Sequence, residues 1–122
     1  MSKSVLIVED NALVVEMYRS ALKPLNVHLL EARNGEDALA LAATHSPALI
    51  LMDILLPGAN GYDVLKKIKQ LPNAAAAPVL AVTNAATASD RTKIKDAGFE
   101  ALITKPINIQ NFVAEVRRHL AA

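Results

Sequence analysis

With 122 residues, 52% of them hydrophobic, the chain has the size of one domain that buries its own core, and the lack of cysteine excludes disulfides, thiolate zinc sites and cysteine nucleophiles. Thirteen basic against twelve acidic residues leave a net charge of +1, and with no Trp, two Tyr and two Phe there is neither the dense basic face nor the stacking rings of a nucleic-acid binder. No apolar run approaches the ~20 residues that span a bilayer, and Met1-Ser2-Lys3-Ser4 leads into a short apolar segment unlike a signal peptide, so a soluble cytoplasmic protein is expected.

The first apolar run, Val5 to Val8, ends in Glu9-Asp10. Val14, Met17, Tyr18, Ala21 and Leu22 then recur at helical spacing until Pro24 stops the pattern. A second strand is expected over 27–32, followed by a helix that starts at Asn34 with Asp37 three residues on and carries Ala38, Leu39, Ala42 and Ala43. The third apolar run, Leu49 to Met52, ends in Asp53. Pro57 and Gly61 punctuate the turn that follows, and Tyr62, Leu65 and Ile68 mark a helix limited by Pro72. The stretch Ala74 to Pro78 reads as a tolerant connection. Val79 to Val82 ends in Thr83; Ser89 is the expected cap of the next helix and Gly98 its left-handed stop. The last strand, Leu102 to Thr104, runs into Lys105-Pro106, and Asn108 caps a helix striped by Ile109, Phe112, Val113, Val116 and Leu120.

The apolar runs are continuous, as in strands covered on both faces, and they alternate with helices through short connections. This predicts an α/β fold with a five-stranded parallel sheet in the order 2-1-3-4-5, doubly wound and flavodoxin-like, with helices on both faces. Residues 1–122 are expected to form one domain, with no room for an output domain. In that strand order the ends of strands 1 and 3 are neighbours at the switch point, so Glu9, Asp10 and Asp53 line one crevice, with Thr83 and Lys105 on the same edge.

Three carboxylates in a small volume repel, and a hard divalent cation relieves the conflict. Mg²⁺ suits the set because it takes one or two carboxylates and fills its remaining sites with water and phosphate oxygens. Asp53 beside such an ion can act as nucleophile toward phosphorus, with Lys105 as a point charge and Thr83 as a hydroxyl donor for the phosphoryl oxygens. Structural alternatives stand beside this: Asp10 as the cap of helix 1, Glu9 as a solvated loop acid, and Asp53 as the salt-bridge partner of Lys105. His28, His45 and His119 lie away from the crevice, so a histidine phosphotransfer role is not expected.

The acidic pair Glu9-Asp10, Asp53 with Pro57 and Gly61 after it, Thr83, and Lys105-Pro106 resemble the receiver domain of bacterial response regulators along the whole chain. The similarity is to the stand-alone, single-domain type, chemotaxis-regulator-like or DivK-like. The resemblance implies that Asp53 accepts a phosphoryl group from a phosphohistidine on a sensor histidine kinase or histidine phosphotransfer protein. It also implies Mg²⁺ on Asp10, Asp53 and the Leu55 backbone carbonyl, with Glu9 acting through water, and a cis Lys105-Pro106 bond. The implied output is a conformational switch toward a downstream protein, without enzymatic turnover, nucleic acid or membrane, in a monomer or weak dimer. Two positions depart from the pattern. Leu102 stands where the family usually carries an aromatic ring that turns inward, and Asn84 stands where a small residue is common; Asn84 either narrows access to Asp53 or hydrogen-bonds the phosphoryl group. Competing readings are a receiver-fold interaction module that works unphosphorylated, an aspartyl phosphatase, which would want an acid where Leu55 stands, and a flavin binder, which Glu9-Asp10-Asn11 disfavours.

Overall fold

The computed structural model describes residues 3–56, 58–84 and 87–121; Pro57 lies outside the described residues. The main sheet has five parallel strands, β1 (Ser4–Val8), β2 (His28–Ala32), β3 (Leu49–Asp53), β4 (Val79–Thr83) and β5 (Ala101–Thr104), in the order β2-β1-β3-β4-β5. Every residue of β3 and β4 is buried, which is why their sequences show no polar alternation.

Five helices cover the two faces: α1 (Ala12–Leu22), α2 (Gly35–Thr44), α3 (Gly61–Ile68), α4 (Ala88–Ala97) and α5 (Ile109–Ala121). Alternate strand residues feed two cores. Val5, Ile7, Leu49, Leu51, Leu80 and Val82 meet Tyr18 and Leu22 of α1 and Phe112 and Val116 of α5. Leu6, Val8, Ile50, Met52, Val79 and Ala81 meet Ala38 and Ala42 of α2, Val64, Leu65 and Ile68 of α3, and Ile94 of α4. The Tyr18 and Phe112 rings stack at 4.9 Å and bind α1 to α5.

Helix boundaries follow the local chemistry, with two corrections. Asn34 Oδ1 accepts the Asp37 amide at 2.8 Å and Asn108 Oδ1 accepts that of Asn111 at 3.0 Å, as expected of caps. Gly98 ends α4 at φ 111°, the left-handed region. The cap of α4 is Thr87 and not Ser89: the Thr87 side chain accepts the Asp90 amide while the Asp90 side chain accepts the Thr87 amide. Reciprocal capping satisfies two orphan amides where Ser89 would satisfy one, so the helix starts earlier. The cap of α1 is Asn11 and not Asp10, with Asn11 Oδ1 accepting the Leu13 amide at 2.9 Å. That leaves the Asp10 carboxylate uncommitted to the helix.

Between β3 and α3 the chain forms a two-residue hairpin, Leu55–Leu56 against Ala59–Asn60, which apolar periodicity does not signal. Asn60 caps α3, and Gly61 presses on Ile54 so closely that an added Cβ would stand 2.7 Å from Ile54 Cα and 2.9 Å from its carbonyl oxygen. Both contacts are with backbone, which cannot rotate away. Gly61→Ala is therefore expected to cost about 1–3 kcal/mol as an overpacking change, seen as a lowered urea midpoint with the slope preserved.

Candidate functional site

The register of the sheet builds the site. Val8 pairs with Met52, Asp53 with Val82, and Thr83 with Thr104, so the residues that follow β1, close β3 and β4, and follow β5 end on one edge. The Lys105 amide donates to the Thr83 carbonyl at 2.9 Å, extending that pairing one residue beyond β5, and the Lys105–Pro106 bond is cis. Glu9, Asp10 and Asp53 bring carboxylates together, Lys105 reaches two of them, and Thr83 closes β4 on the same edge. Glu9, Asp53 and Thr83 are buried, Asp10 is exposed and Lys105 is half-buried.

Lys105 Nζ donates to Asp53 Oδ2 at 2.8 Å and to Glu9 Oε1 at 2.9 Å. The remaining oxygens are held by the backbone: the Leu55 amide donates to Asp53 Oδ1 at 3.0 Å and the Asn11 amide to Glu9 Oε2 at 3.1 Å. The salt-bridge reading of Asp53 is thus realised, but the same ammonium also serves Glu9. One ammonium is shared by two buried acids, with the Asp10 carboxylate beside them.

Carboxylate oxygens of Glu9, Asp10 and Asp53 lie within 4.8 Å of one another. At that distance each like-charge pair costs about 1 kcal/mol in water and about 3 kcal/mol at the effective dielectric of a protein surface. Burial, ahead of any other cause, pushes the Glu9 carboxyl above its ordinary range, with the Asp53 charge adding to the rise and the bonds from Lys105 and Asn11 opposing it. Burial alone would lower the Lys105 ammonium, but its hydrogen bonds and charge contacts with Asp53 and Glu9 outweigh that and hold it above the usual lysine value.

The donor set is purely carboxylate, with no nitrogen or sulfur ligand, and Asp10 gives it an open, solvated side. Such a set fits a hard, partly hydrated divalent cation and a phosphate oxygen better than it fits a softer metal. The three histidines sit elsewhere. His28 opens β2 at the other end of the sheet, His45 ends α2, and His119 lies 3.5 Å from Glu115 in α5. Sequence reasoning missed the part played by the Leu55 and Asn11 amides, since backbone donors leave no residue-type signal.

The family model for the response regulator receiver domain matches residues 5–117. The polar-differentiation response regulator DivK of Brucella anthropi is 41% identical over 120 residues, 98% of each chain. The receiver domain of the sensor histidine kinase PA1611 from Pseudomonas aeruginosa PAO1, described with a magnesium ion coordinated in its active site cleft, superposes with a TM-score of 0.89 at 25% identity over the full length of both chains. A CheY-like response regulator receiver domain protein from Methanospirillum hungatei JF-1 gives 0.89 at 25% identity, covering 99% of this chain and 95% of its own.

The Glu9 shift has a testable sign. A carboxyl raised in the fold favours the folded state while it is protonated, and that contribution fades as pH rises above 4.5 and through the higher folded value. Glu9→Gln mimics the protonated form without the charge. In metal-free buffer it is expected to be more stable than the parent at neutral pH, with a gap that opens as pH rises; urea midpoints across the acid-to-neutral range measure it, and parallel pH profiles would contradict it.

Proposed function

The chain belongs to the response regulator receiver domain family of two-component signalling, and from that membership we propose that residues 1–122 form a stand-alone receiver domain phosphorylated on Asp53. The donor is a phosphohistidine on a sensor histidine kinase or histidine phosphotransfer protein. A lone pair of an Asp53 carboxylate oxygen attacks phosphorus, the N–P bond breaks with its electron pair passing to the imidazole nitrogen, which takes a proton from solvent, and Asp53 is left as an acyl phosphate. The observation that carries this reading is the convergence of Asp53 with Glu9, Asp10, Thr83 and Lys105 at one sheet edge, with Lys105 Nζ 2.8 Å from the acceptor carboxylate.

Each residue has a separate task. The Leu55 amide and Lys105 hold the Asp53 carboxylate from both sides, so it meets phosphorus without a search of rotamers. Lys105 follows the negative charge outward onto the phosphoryl oxygens, and the Thr83 hydroxyl donates to one of them. Asp10, Asp53 and the Leu55 carbonyl would hold Mg²⁺, with Glu9 acting through water, and the ion would supply positive charge for the phosphoryl oxygens that three carboxylates would otherwise repel. The magnesium described in the cleft of the Pseudomonas receiver domain supports that assignment.

Leu55 occupies the position where a turnover phosphatase would place an acid–base carboxyl, so the protein acts as a stoichiometric acceptor and not as a turnover enzyme. Its output is a change of conformation read by a downstream protein through α4, β5 and α5 or through α1 and α5. Among the described residues no helix is long and apolar enough to cross a membrane. The reading has the protein working in the cytoplasm on protein partners, without nucleic acid or membrane, as a monomer or weak dimer.

Acetyl phosphate with Mg²⁺ is expected to add one phosphate to the intact mass, the gain being lost with chelator and in Asp53→Asn. Modification of the Asp53→Asn protein, or none of the parent, would remove the proposal and leave a receiver-fold interaction module that binds without phosphate. Lys105→Ala is expected to keep some phosphorylation but lose the phosphate-dependent change in partner affinity. Moving a switch from 1:99 to 99:1 takes about 5.5 kcal/mol of differential contact, and Lys105 is a main supplier. Titrating the kinase-partner or target with and without phosphate checks this, and an undiminished difference would contradict it.

A further inference from the structure

Two hydrogen bonds connect Asp53 to the first turn of α3. The Leu55 amide donates to Asp53 Oδ1 at 3.0 Å, and the Gly61 amide donates to the Ile54 carbonyl at 3.0 Å, closing the hairpin between them. Gly61 stands so close to the Ile54 backbone that a Cβ on it would not fit, so the two segments cannot approach further. The next residue is Tyr62. Its half-buried ring meets the edge of Phe99 at 5.9 Å and an interplanar angle of 77°, and Lys93 Nζ of α4 lies 4.9 Å from its centroid.

Among the described residues helix α4 is the most lightly buried of the five. Of its ten residues only Ile94 is buried, and the stretch is the most polar of the five helices. Its C-terminal turn passes through Gly98 to Phe99, which is seated in the core with Leu65 and Ile94. Tyr62 therefore touches α4 at Lys93 on one side and the segment that anchors α4 on the other. Edge-to-face and cation–π contacts both depend on ring placement, so a small shift of the first turn of α3 weakens them together.

We infer that the Tyr62 ring is a latch that holds α4 against the body while Asp53 is unmodified, and that releases it when strain at Asp53 passes through Ile54 and Gly61. The inference rests on the receiver reading above, because it takes phosphorylation of Asp53 as the trigger. It assigns Tyr62 a positioning role and no contact with the phosphoryl group.

The test measures amide hydrogen exchange across α4 in the parent, Tyr62→Phe, Tyr62→Leu and Lys93→Gln. Each is taken with Mg²⁺ alone and with Mg²⁺ plus acetyl phosphate, and intact mass is recorded on the same samples. In the parent, exchange in α4 is expected to quicken on phosphorylation. Tyr62→Phe keeps the ring and should behave like the parent. Tyr62→Leu should exchange about two- to fivefold faster before modification and respond no further after it. Lys93→Gln, at an exposed position that does not touch the core, should fall between the two and decides the question if Tyr62→Leu does not fold. A simple packing role would raise the starting exchange rate but leave the response to phosphate intact. Full phosphorylation with unchanged α4 exchange in the parent, or an undiminished response in Tyr62→Leu, would overturn the latch alone. Absence of any mass gain would overturn the receiver reading and the latch with it.

Discussion

Three carboxylates crowd the end of this sheet with one ammonium paired to two of them, and much of the molecule can be understood as the support that this conflict requires. Left to itself, such a cluster would swing apart into water or take up a proton. Here Glu9 and Asp53 cannot leave, because each is buried and each oxygen is met by a donor on Lys105 or on the backbone. The local cost is set against the burial of two continuous cores, which make the strand ends stiff enough to hold like charges close. A fold with so much apolar strand surface can carry an unfavourable polar site and still be stable.

The same stiffness explains the division of labour among the acids. Asp53 closes a strand that is buried along its whole length, so its direction is dictated by the pleat and by its pairing with Val82. Glu9 follows β1 and is bound back by the Asn11 amide, while Asp10 between them stays exposed. Asn11 takes the capping duty at α1, so the Asp10 carboxylate lies outside the cap and beside those of Glu9 and Asp53. Lys105 approaches from the far side, on a strand end tied to the Thr83 carbonyl. Fixed acids with one solvated member suit an ion that wants both carboxylate and water.

Strands, sheet order and the converging edge were legible because each depends on residue type at a known spacing. Unbroken apolar runs mean strands covered on both faces, short connections mean right-handed crossovers, and the crossovers leave one edge for Glu9, Asp53, Thr83 and Lys105. Features that depend on backbone closure were not legible in the same way. The hairpin from Leu55 to Asn60 has too few residues for periodicity, and Thr87 displaces Ser89 as a cap because the reciprocal bond with Asp90 is decided by geometry that both candidates share on paper. The ring contacts Tyr18–Phe112 and Tyr62–Phe99 join residues 94 and 37 positions apart, and no local pattern pairs them. Val15 is buried in α1 although the stripe did not include it, while Val14, which it did include, packs half-buried against the core.

The two sides of the sheet are unequally fastened, and that inequality bears on how a local charge change can become a movement. On one side α1 and α5 are bound by stacked rings and by Phe112 and Val116, both without measurable exposure. On the other, α3 is well seated through Val64, Leu65 and Ile68, while α4 beside it rests on Ile94. A packed interface resists small displacements until it gives way as a unit, whereas a helix held by one side chain and a few directional contacts yields first. The α1–α5 side is therefore the stiffer part of the molecule, and α4 is the helix with the least packing to overcome in any displacement.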